Sequence, residues 1–294
     1  MRISARSTTD RLLAHIQEAT TRLNETQERV ASGRRINRPS DDPFATARAM
    51  AARSTLDLVT QRTRTVDLAR TELGVVESAL TALGSVMTRA QELSVQADSS
   101  GLDSGARQQI ATEVSEMLNE VLSIATTSHA GRQVFGGHQG GPAFAPDVPA
   151  NPTAFTYQGD TGQVLREIGE GERIAVNIPG EPLFDGIFAS LIAFRDGLLA
   201  NDRTAMNAAS SQIGAEIDTV LTARGEVGAR VRRLDMAWVR LEEEEVALKT
   251  AISGLEEVDI TAEVVELQMR DTAFQAALAA TGRSLGVSLL DFLR

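Results

Sequence analysis

Apolar residues recur at alternating intervals of three and four along much of this chain, and this spacing constrains the fold more than any other feature. One such stretch runs from Leu12 to Val30 and a second runs from Val66 to Ala90. This is the heptad pattern of helices that pack lengthwise against other helices. The sequence therefore predicts a mainly α-helical protein built from long helices that lie side by side.

The positions of proline set the expected helix lengths. No further proline follows Pro43 until well beyond Ala97, so one helix of about 55 residues, roughly 80 Å long, is predicted there. A GLDSGA turn follows, in which Asp103 or Ser104 is suited to cap a helix that folds back antiparallel. We therefore expect an elongated antiparallel helical rod with coiled-coil helices at both termini.

The carboxy-terminal third repeats the heptad pattern in two registers. The first runs from Val227 to Leu255 and is broken only by Glu245, and the second begins at Ile260. A narrow seam on a terminal helix needs a partner helix to bury it, either the other terminus or another subunit. The candidate assembly residues on the two terminal helices are Leu12, Ile16, Leu23, Val30, Ile260, Val264, Leu267, Phe274, Leu278, Leu285, Leu289 and Phe292.

The composition changes between Gly136 and Asp185, where six of the eight prolines lie. Proline at this density excludes helix over most of the segment. The stretches AFTYQ, QVLREI and RIAVNI carry β-branched or alternating residues and are separated by GDTG and GEGE turns. This pattern predicts a small antiparallel meander, so the segment is interpreted as a β-rich insertion in the helical rod.

These changes of pattern predict five segments. They are an N-terminal helix and turn (1–42), long rod helices (43–135), the β-rich insertion (136–185), return rod helices (186–258) and a C-terminal helix (259–294).

Charge and composition exclude several classes of function. The net charge of -11 and the pI near 4.9 argue against nucleic acid as the main partner. No run of 18 apolar residues is present, so no membrane span is predicted. Cysteine is absent, which excludes disulfides and thiolate sites, and the opening MRISARSTTDRLLAH lacks the apolar region of a secretory signal.

No pattern of residues indicates a catalytic or cofactor site. The three histidines, His15, His129 and His138, do not have metal-ligand spacing, and the GEGER and GGHQGG stretches lack the context of a phosphate-binding loop. No nucleophile elbow of the G-x-S-x-G type is present. We therefore expect no enzymatic activity and no cofactor.

The stretch ASGRRINRPSDDPF ends the first helix and starts the long one. Gly33 suits the left-handed residue that closes a helix, and Asp42 suits an N-cap with Pro43 in the first turn. On physical grounds alone, a simple corner and an exposed recognition hairpin remain equally open. The residues that an exposed hairpin would present are Gly33, Arg34, Arg35, Asn37, Pro39, Ser40, Asp41, Asp42 and Pro43.

Residues 29–50, RVASGRRINRPSDDPFATARAM, resemble the signature of the flagellin superfamily. The Pro-Ser-Asp-Asp-Pro form is similar to the hook-filament junction members of that superfamily rather than to filament flagellins. Further similar stretches are the opening MRIS, RAQELSVQA (89–97), GRQVFGG (131–137), YQGDTG (157–162), RGEVGARVRRLD (224–235) and SLLDFL (288–293).

The resemblance implies a structural adaptor of the bacterial flagellum that joins the hook-associated layer to the flagellin filament by helix–helix self-assembly. It implies export through the flagellar type III apparatus without a cleaved signal peptide, and an extracellular location. The implied partners are the hook-associated protein layer, flagellin and copies of the chain itself in a ring-like layer. The resemblance also implies that the turn from Gly33 to Pro43 lies in contacts between subunits. A flagellar export chaperone is also implied, for which Val264, Leu267, Phe274 and Leu278 are candidate contacts.

Two further functions remain open at this point. A filament-forming flagellin would polymerise spontaneously into long filaments, and a non-flagellar coiled-coil scaffold would not be secreted. The resemblance also implies that the terminal segments (1–42 and 259–294) form the inner layer and that the rod and the insertion (136–185) face outward. The terminal helices would order on assembly, when each seam meets a neighbouring subunit.

Overall fold

Six helices account for most of the chain, as the heptad spacing predicts. The computed structural model describes residues 2–99, 103–149 and 151–292, with side chains described at 10–99, 103–149 and 151–282. The helices are α1 (Arg2–Ser32), α2 (Pro43–Ala97), α3 (Ser104–Ala125), α4 (Glu181–Ala200), α5 (Arg203–Glu256) and α6 (Ile260–Phe292).

The start and end signals act where the sequence places them. Helix α2 extends unbroken over 55 residues from Pro43. The Asp103 carboxylate caps α3 by accepting a hydrogen bond from the Ala106 N–H at 2.7 Å. Helix α4 ends at Ala200 and is capped by Asn201, which adopts a left-handed conformation with φ of 56°. Helix α5 then extends over 54 residues.

Six short strands occupy the region between α3 and α4. They are β1 (Ser128–His129), β2 (Arg132–Gln133), β3 (Phe144–Pro146), β4 (Phe155–Tyr157), β5 (Leu165–Gly169) and β6 (Glu172–Ala175). They pair as three separate two-stranded antiparallel sheets, β1 with β2, β3 with β4 and β5 with β6.

The expected single meander is therefore wrong in its pairing. Strand β4 pairs with β3, which the sequence analysis did not identify, and only β5 and β6 form the expected hairpin. Strand β3 contains Pro146 at its end, where it faces Phe155. A proline lacks the N–H that a central strand needs, so it favours a short, edge-like ladder over a continuous sheet.

The chain divides into two compact units, of which one comprises residues 60–243. In this unit the heptad residues of α2 are completely buried, and polar contacts show that α5 runs antiparallel to α2. Ser94 contacts Ser210 at 2.8 Å, and Arg70 forms an ion pair with Asp235 at 2.6 Å. The fully buried heptad residues of α2 are Val66, Ala69, Leu73, Val76, Leu80, Leu83, Met87 and Ala90.

An aromatic cluster attaches the β-rich region to α4 within the same unit. Phe155 stacks on Phe188 with ring centroids 3.9 Å apart, and Phe144 packs against Phe184 at 5.5 Å. The Tyr157 hydroxyl lies 2.9 Å from the carbonyl oxygen of Phe135 and 2.8 Å from that of Asp160. Burial of these rings against α4 compensates for the small number of ladder hydrogen bonds in such short strands.

The other unit comprises residues 1–59 and 244–294. It contains α1, the turn that follows it, the first part of α2, the last part of α5, and α6. Its buried apolar residues are few, and include Leu23, Ile36, Ala45 and Ala49. This unit holds every candidate assembly residue and every turn residue named from the sequence.

Candidate assembly surfaces

The turn between α1 and α2 is closed by the glycine and aspartate that the sequence identifies. Gly33 has a φ of 69°, and its N–H donates to the carbonyl of Arg29 at 2.9 Å. Asp42 accepts a hydrogen bond from the Ala45 N–H at 2.9 Å, which caps the start of α2. The Ala45 N–H, together with the Arg35 guanidinium, holds the pKa of the Asp42 carboxyl below its usual value.

A second aspartate shapes the middle of the turn. The Oδ2 atom of Asp41 accepts hydrogen bonds from the N–H groups of Asn37 at 3.1 Å and Arg38 at 2.9 Å. The Asp-Asp pair therefore has two separate structural roles, one within the turn and one at the helix start. This arrangement explains both carboxylates without acid–base chemistry.

The turn lies against the connection between α5 and α6 of the same chain. The Arg35 N–H donates to the Glu256 carbonyl at 2.7 Å, and the Val258 N–H donates to the Gly33 carbonyl at 3.1 Å. The Arg35 guanidinium adds a hydrogen bond of 2.8 Å to the carbonyl of Leu255. Backbone hydrogen bonds to residues more than 200 positions away in the sequence therefore stabilise the turn. This excludes a simple corner that is held only by α1 and α2.

The opposite side of the turn is open to solvent. The exposed residues are Arg34, Arg35, Arg38, Pro39, Ser40, Asp41 and Pro43, while Gly33, Asn37 and Asp42 are half-buried. Ile36, which sequence analysis did not single out, is the apolar anchor of the turn, with 8% of its surface exposed. The role of the exposed residues in subunit contacts stays a prediction.

The two terminal helices pack against each other within one chain. On α1, Leu23 is buried and Leu12, Ile16 and Val30 are half-buried. An ion pair joins the helices where Arg29 Nε lies 2.6 Å from Glu263 Oε1. Of the two partners that the sequence left open for the terminal seam, this structure places the other terminus against it.

The predicted seam of α6 divides into two faces. Leu267 and Phe274 are half-buried on the side toward Glu263 and Thr281, whereas Ile260, Val264 and Leu278 are 45–52% exposed. Leu285, Leu289 and Phe292 lie outside the residues whose side chains the structure describes. The four candidate chaperone contacts are thus divided, with two partly covered by the chain itself and two facing solvent.

Two groups of ion pairs escaped sequence analysis because their partners are distant in the chain. Arg166 on β5 pairs with Glu72 on α2, and Glu172 on β6 pairs with both Arg233 and Arg240 on α5 at 3.1 Å. The sequence shows which residues are acidic and which are basic, but their spacing does not indicate which of them form ion pairs.

The described residues contain no group of three or more His, Asp and Glu side chains that is placed to hold a metal ion. His138 instead lies 3.7 Å from Asp160, which also accepts hydrogen bonds from the N–H groups of His138 and Gly162. These contacts organise a loop. No helix among the described residues is long and apolar enough to cross a membrane.

Comparison with family models identifies the class of protein to which these helices and this turn belong. Residues 3–139 match the bacterial flagellin N-terminal helical region, and residues 204–293 match the bacterial flagellin C-terminal helical region. The two matches cover most of the chain and include both terminal helices and the turn. The chain belongs to the flagellin superfamily.

Within this superfamily, the chain is similar to flagellar hook-associated protein 3. It is 22% identical to that protein of Escherichia coli, with 89% of this chain and 90% of the relative covered. The protein of the same name from Salmonella typhimurium is 22% identical, with both chains covered in full. Flagellin of Listeria monocytogenes is 25% identical over 83% of this chain and 82% of its own length.

Solved structures share the fold. FlgL of Bacillus cereus superposes with a TM-score of 0.62 and 24% identity, covering 69% of this chain and 99% of that one. The flagellar junction protein FlgL of Legionella pneumophila gives a TM-score of 0.62 at 14% identity, covering 71% and 100%. The mainly α-helical fold with a small β-rich insertion is confirmed by these likenesses.

Proposed function

We propose that this protein is a structural adaptor of the bacterial flagellum that joins the hook-associated layer to the flagellin filament. The observation that carries the proposal is its similarity over nearly the whole chain to two flagellar hook-associated proteins 3. The Pro-Ser-Asp-Asp-Pro turn also supports an adaptor rather than a filament flagellin within the superfamily. The non-flagellar scaffold has no support from a chain whose two ends both match flagellin.

The adaptor would assemble through its helices and would catalyse no reaction. Exposed apolar side chains on α6, including Ile260, Val264 and Leu278, support such assembly. A helix that carries apolar residues around most of its circumference is stable in water only when its open faces become covered. We infer that the terminal segments (1–42 and 259–294) form the inner layer of the assembly. The helices of 43–135 and 186–258 and the insertion (136–185) would lie further out.

The proposed partners are the hook-associated layer on one side, flagellin on the other, and copies of the chain in a ring-like layer. A flagellar export chaperone would bind near the carboxy terminus before assembly. The exposed Val264 and Leu278 support this role better than Leu267 and Phe274, which are half-buried. The protein would act outside the cell after export through the flagellar type III apparatus, without cleavage of a signal peptide.

A filament-forming flagellin is the second candidate, because the chain also matches flagellin of Listeria monocytogenes over most of its length. The two functions differ in their polymers. A flagellin forms long filaments by itself, whereas an adaptor stops at a layer of limited size.

Deletion of the gene tests the choice between them. Electron microscopy of the deleted strain should show hooks that lack filaments, and flagellin should appear in the culture medium as shed monomer. Restoring the gene on a plasmid is the control, and should return the filaments. Intact filaments in the deleted strain would contradict the adaptor function, and loss of flagellin from the medium would identify the chain as the filament subunit.

A further inference from the structure

The first four turns of α2 carry an apolar stripe that faces solvent. Phe44 and Leu58 are 86% and 52% exposed, and Ala51 lies midway between them and is also exposed. The three residues are seven apart, so they lie on one side of the helix. The exposed Arg48 lies one turn after Phe44, at the edge of this stripe. We call Phe44, Arg48, Ala51 and Leu58 the α2 stripe.

A stripe of the same length faces solvent on α6. Val264 and Leu278 are each 45% exposed, and the exposed Asp271 lies midway between them. These residues are also seven apart and lie on one side of their helix. We call Val264, Asp271 and Leu278 the α6 stripe.

The two stripes match each other in length and charge. The end residues of each stripe are 14 positions apart, or about 21 Å of helix at 1.5 Å per residue. Each has a large apolar side chain at both ends and a single charge nearer its middle, which is positive on α2 and negative on α6. Within the described residues, neither Arg48 nor Asp271 takes part in an ion pair, and Asp271 accepts a hydrogen bond only from Gln275, one turn further along α6.

We propose that the α2 stripe of one copy of this chain docks on the α6 stripe of the next copy, with Arg48 paired to Asp271. Because both stripes are exposed, neither is covered within its own chain. Contact between two different surfaces leaves a free surface of each kind at the ends, so repetition builds a ring or a helical layer rather than a closed dimer. This inference rests on the proposed function and names the surfaces that its self-assembly would use.

A second copy fits these stripes better than an unrelated partner does, because the chain itself supplies both halves of a matching pair. The small Ala51 lets a neighbouring helix approach closely between the two larger side chains. Charge pairing across such a contact sets its register and rejects wrong partners more than it adds affinity. Reversing one charge should therefore disrupt the contact, and reversing both should restore it.

Charge reversal in the full-length chain tests the contact. Self-association is measured by sedimentation equilibrium at high protein concentration for Arg48→Glu, for Asp271→Arg and for the two variants mixed in equal amounts. We expect each variant alone to associate about tenfold more weakly than the unaltered chain. In the mixture, the glutamate introduced into one variant faces the arginine introduced into the other, and the native Arg48 and Asp271 also face each other, so association should recover.

Recovery on mixing is possible only for a contact between copies, because each chain in the mixture still carries a single reversal. Arg64→Glu is the matched control, since Arg64 is exposed on α2 but lies 20 residues after Phe44 and thus on the opposite side of the helix. It should leave association unchanged. Circular dichroism verifies that all three variants retain their helical content.

The proposal is overturned if the mixture associates no better than either variant alone, or if the unaltered chain does not self-associate. It is also overturned if Asp271→Arg abolishes binding of the export chaperone while Arg48→Glu has no effect on self-association, because the α6 stripe would then belong to the chaperone. The gene-deletion experiment is independent of these results. Intact filaments after deletion would refute the adaptor function, whereas failed recovery on mixing would refute only this docking mode.

Discussion

The Arg166 guanidinium donates two hydrogen bonds to the Glu72 carboxylate, from Nε at 3.1 Å and from Nη2 at 2.6 Å. Arg166 lies on β5 and Glu72 on α2, so this bidentate pair holds the β5–β6 hairpin against the longest helix. Glu172, on β6, holds the same hairpin against α5 through Arg233 and Arg240. One short hairpin thus bridges two antiparallel helices by charge pairs at both of its strands.

Replacing Glu72 by Gln should loosen this hairpin. The amide cannot accept both charge-assisted hydrogen bonds, and since Arg166 is 36% exposed the expected cost is only about 1 kcal/mol. Hydrogen exchange of the β5 and β6 amides measures the change locally. Glu77→Gln, at an exposed position on the same helix, is the control, and an equal effect of both variants would contradict the bridging role of Glu72.

Replacing Gly33 by Ala should destabilise the turn by about 1 kcal/mol, because a side chain at a φ of 69° is strained. Nothing lies within 4 Å of the added methyl group, so the cost is purely conformational. Gly254→Ala is the matched control, since Gly254 lies inside α5 with the same open space and alanine favours helix there. Thermal unfolding should shift in opposite directions for the two variants, and equal shifts would exclude backbone strain at Gly33.

Removing the Asp42 cap should weaken the start of α2 in a pH-dependent manner. The pKa of Asp42 is lowered in the folded chain, so its contribution is present above the carboxyl's ordinary pKa and is lost as the pH falls through the lowered value. Asp42→Ala should therefore speed hydrogen exchange at the Ala45 amide near neutral pH and have little effect in strong acid. Asp42→Asn retains a capping acceptor, so exchange at its Ala45 amide should be faster than in the unaltered chain and slower than in Asp42→Ala. A pH-independent effect would show that the charge is irrelevant.

Glu216 should show the opposite pH dependence. Burial raises the pKa of this α5 carboxyl, which lies directly against Gly186 of α4. A carboxyl whose pKa is raised by folding is most favourable below its unfolded pKa, and its contribution is lost as the pH rises through the folded value. Glu216→Gln should therefore raise the melting temperature at neutral pH and not in acid. Asp218→Asn, at an exposed position two residues further along α5, should leave the melting temperature unchanged at both pH values. A rise of its melting temperature at neutral pH would indicate a general charge effect.

The helices were predictable because their signals are local. The heptad residues from Val66 to Ala90 are fully buried as expected, and Asp42, Pro43 and Asp103 start helices where capping chemistry places them. A helix satisfies its own backbone hydrogen bonds within four residues, so its sequence carries most of what determines it.

The strand pairing was not predictable in the same way. Strands β4 and β5 each had a recognisable pattern, but β4 pairs with Phe144–Pro146 rather than with β5. A strand's hydrogen bonds depend on another segment, and the packing of Phe144 and Phe155 against Phe188 of α4 decides which segment is close. The pairing of Glu72 with Arg166 depends on the same long-range packing.

Sequence alone thus determined the helical class, the two ends of α2, the chemistry of the Gly33–Pro43 turn and the resemblance to flagellins. Only the tertiary structure decided that α1 and α6 cover part of each other's seam, and that the α2 and α6 stripes stay open. A heptad pattern indicates which residues need a partner helix. Which face of a helix is covered by a partner depends on the packing of segments that are distant in the sequence.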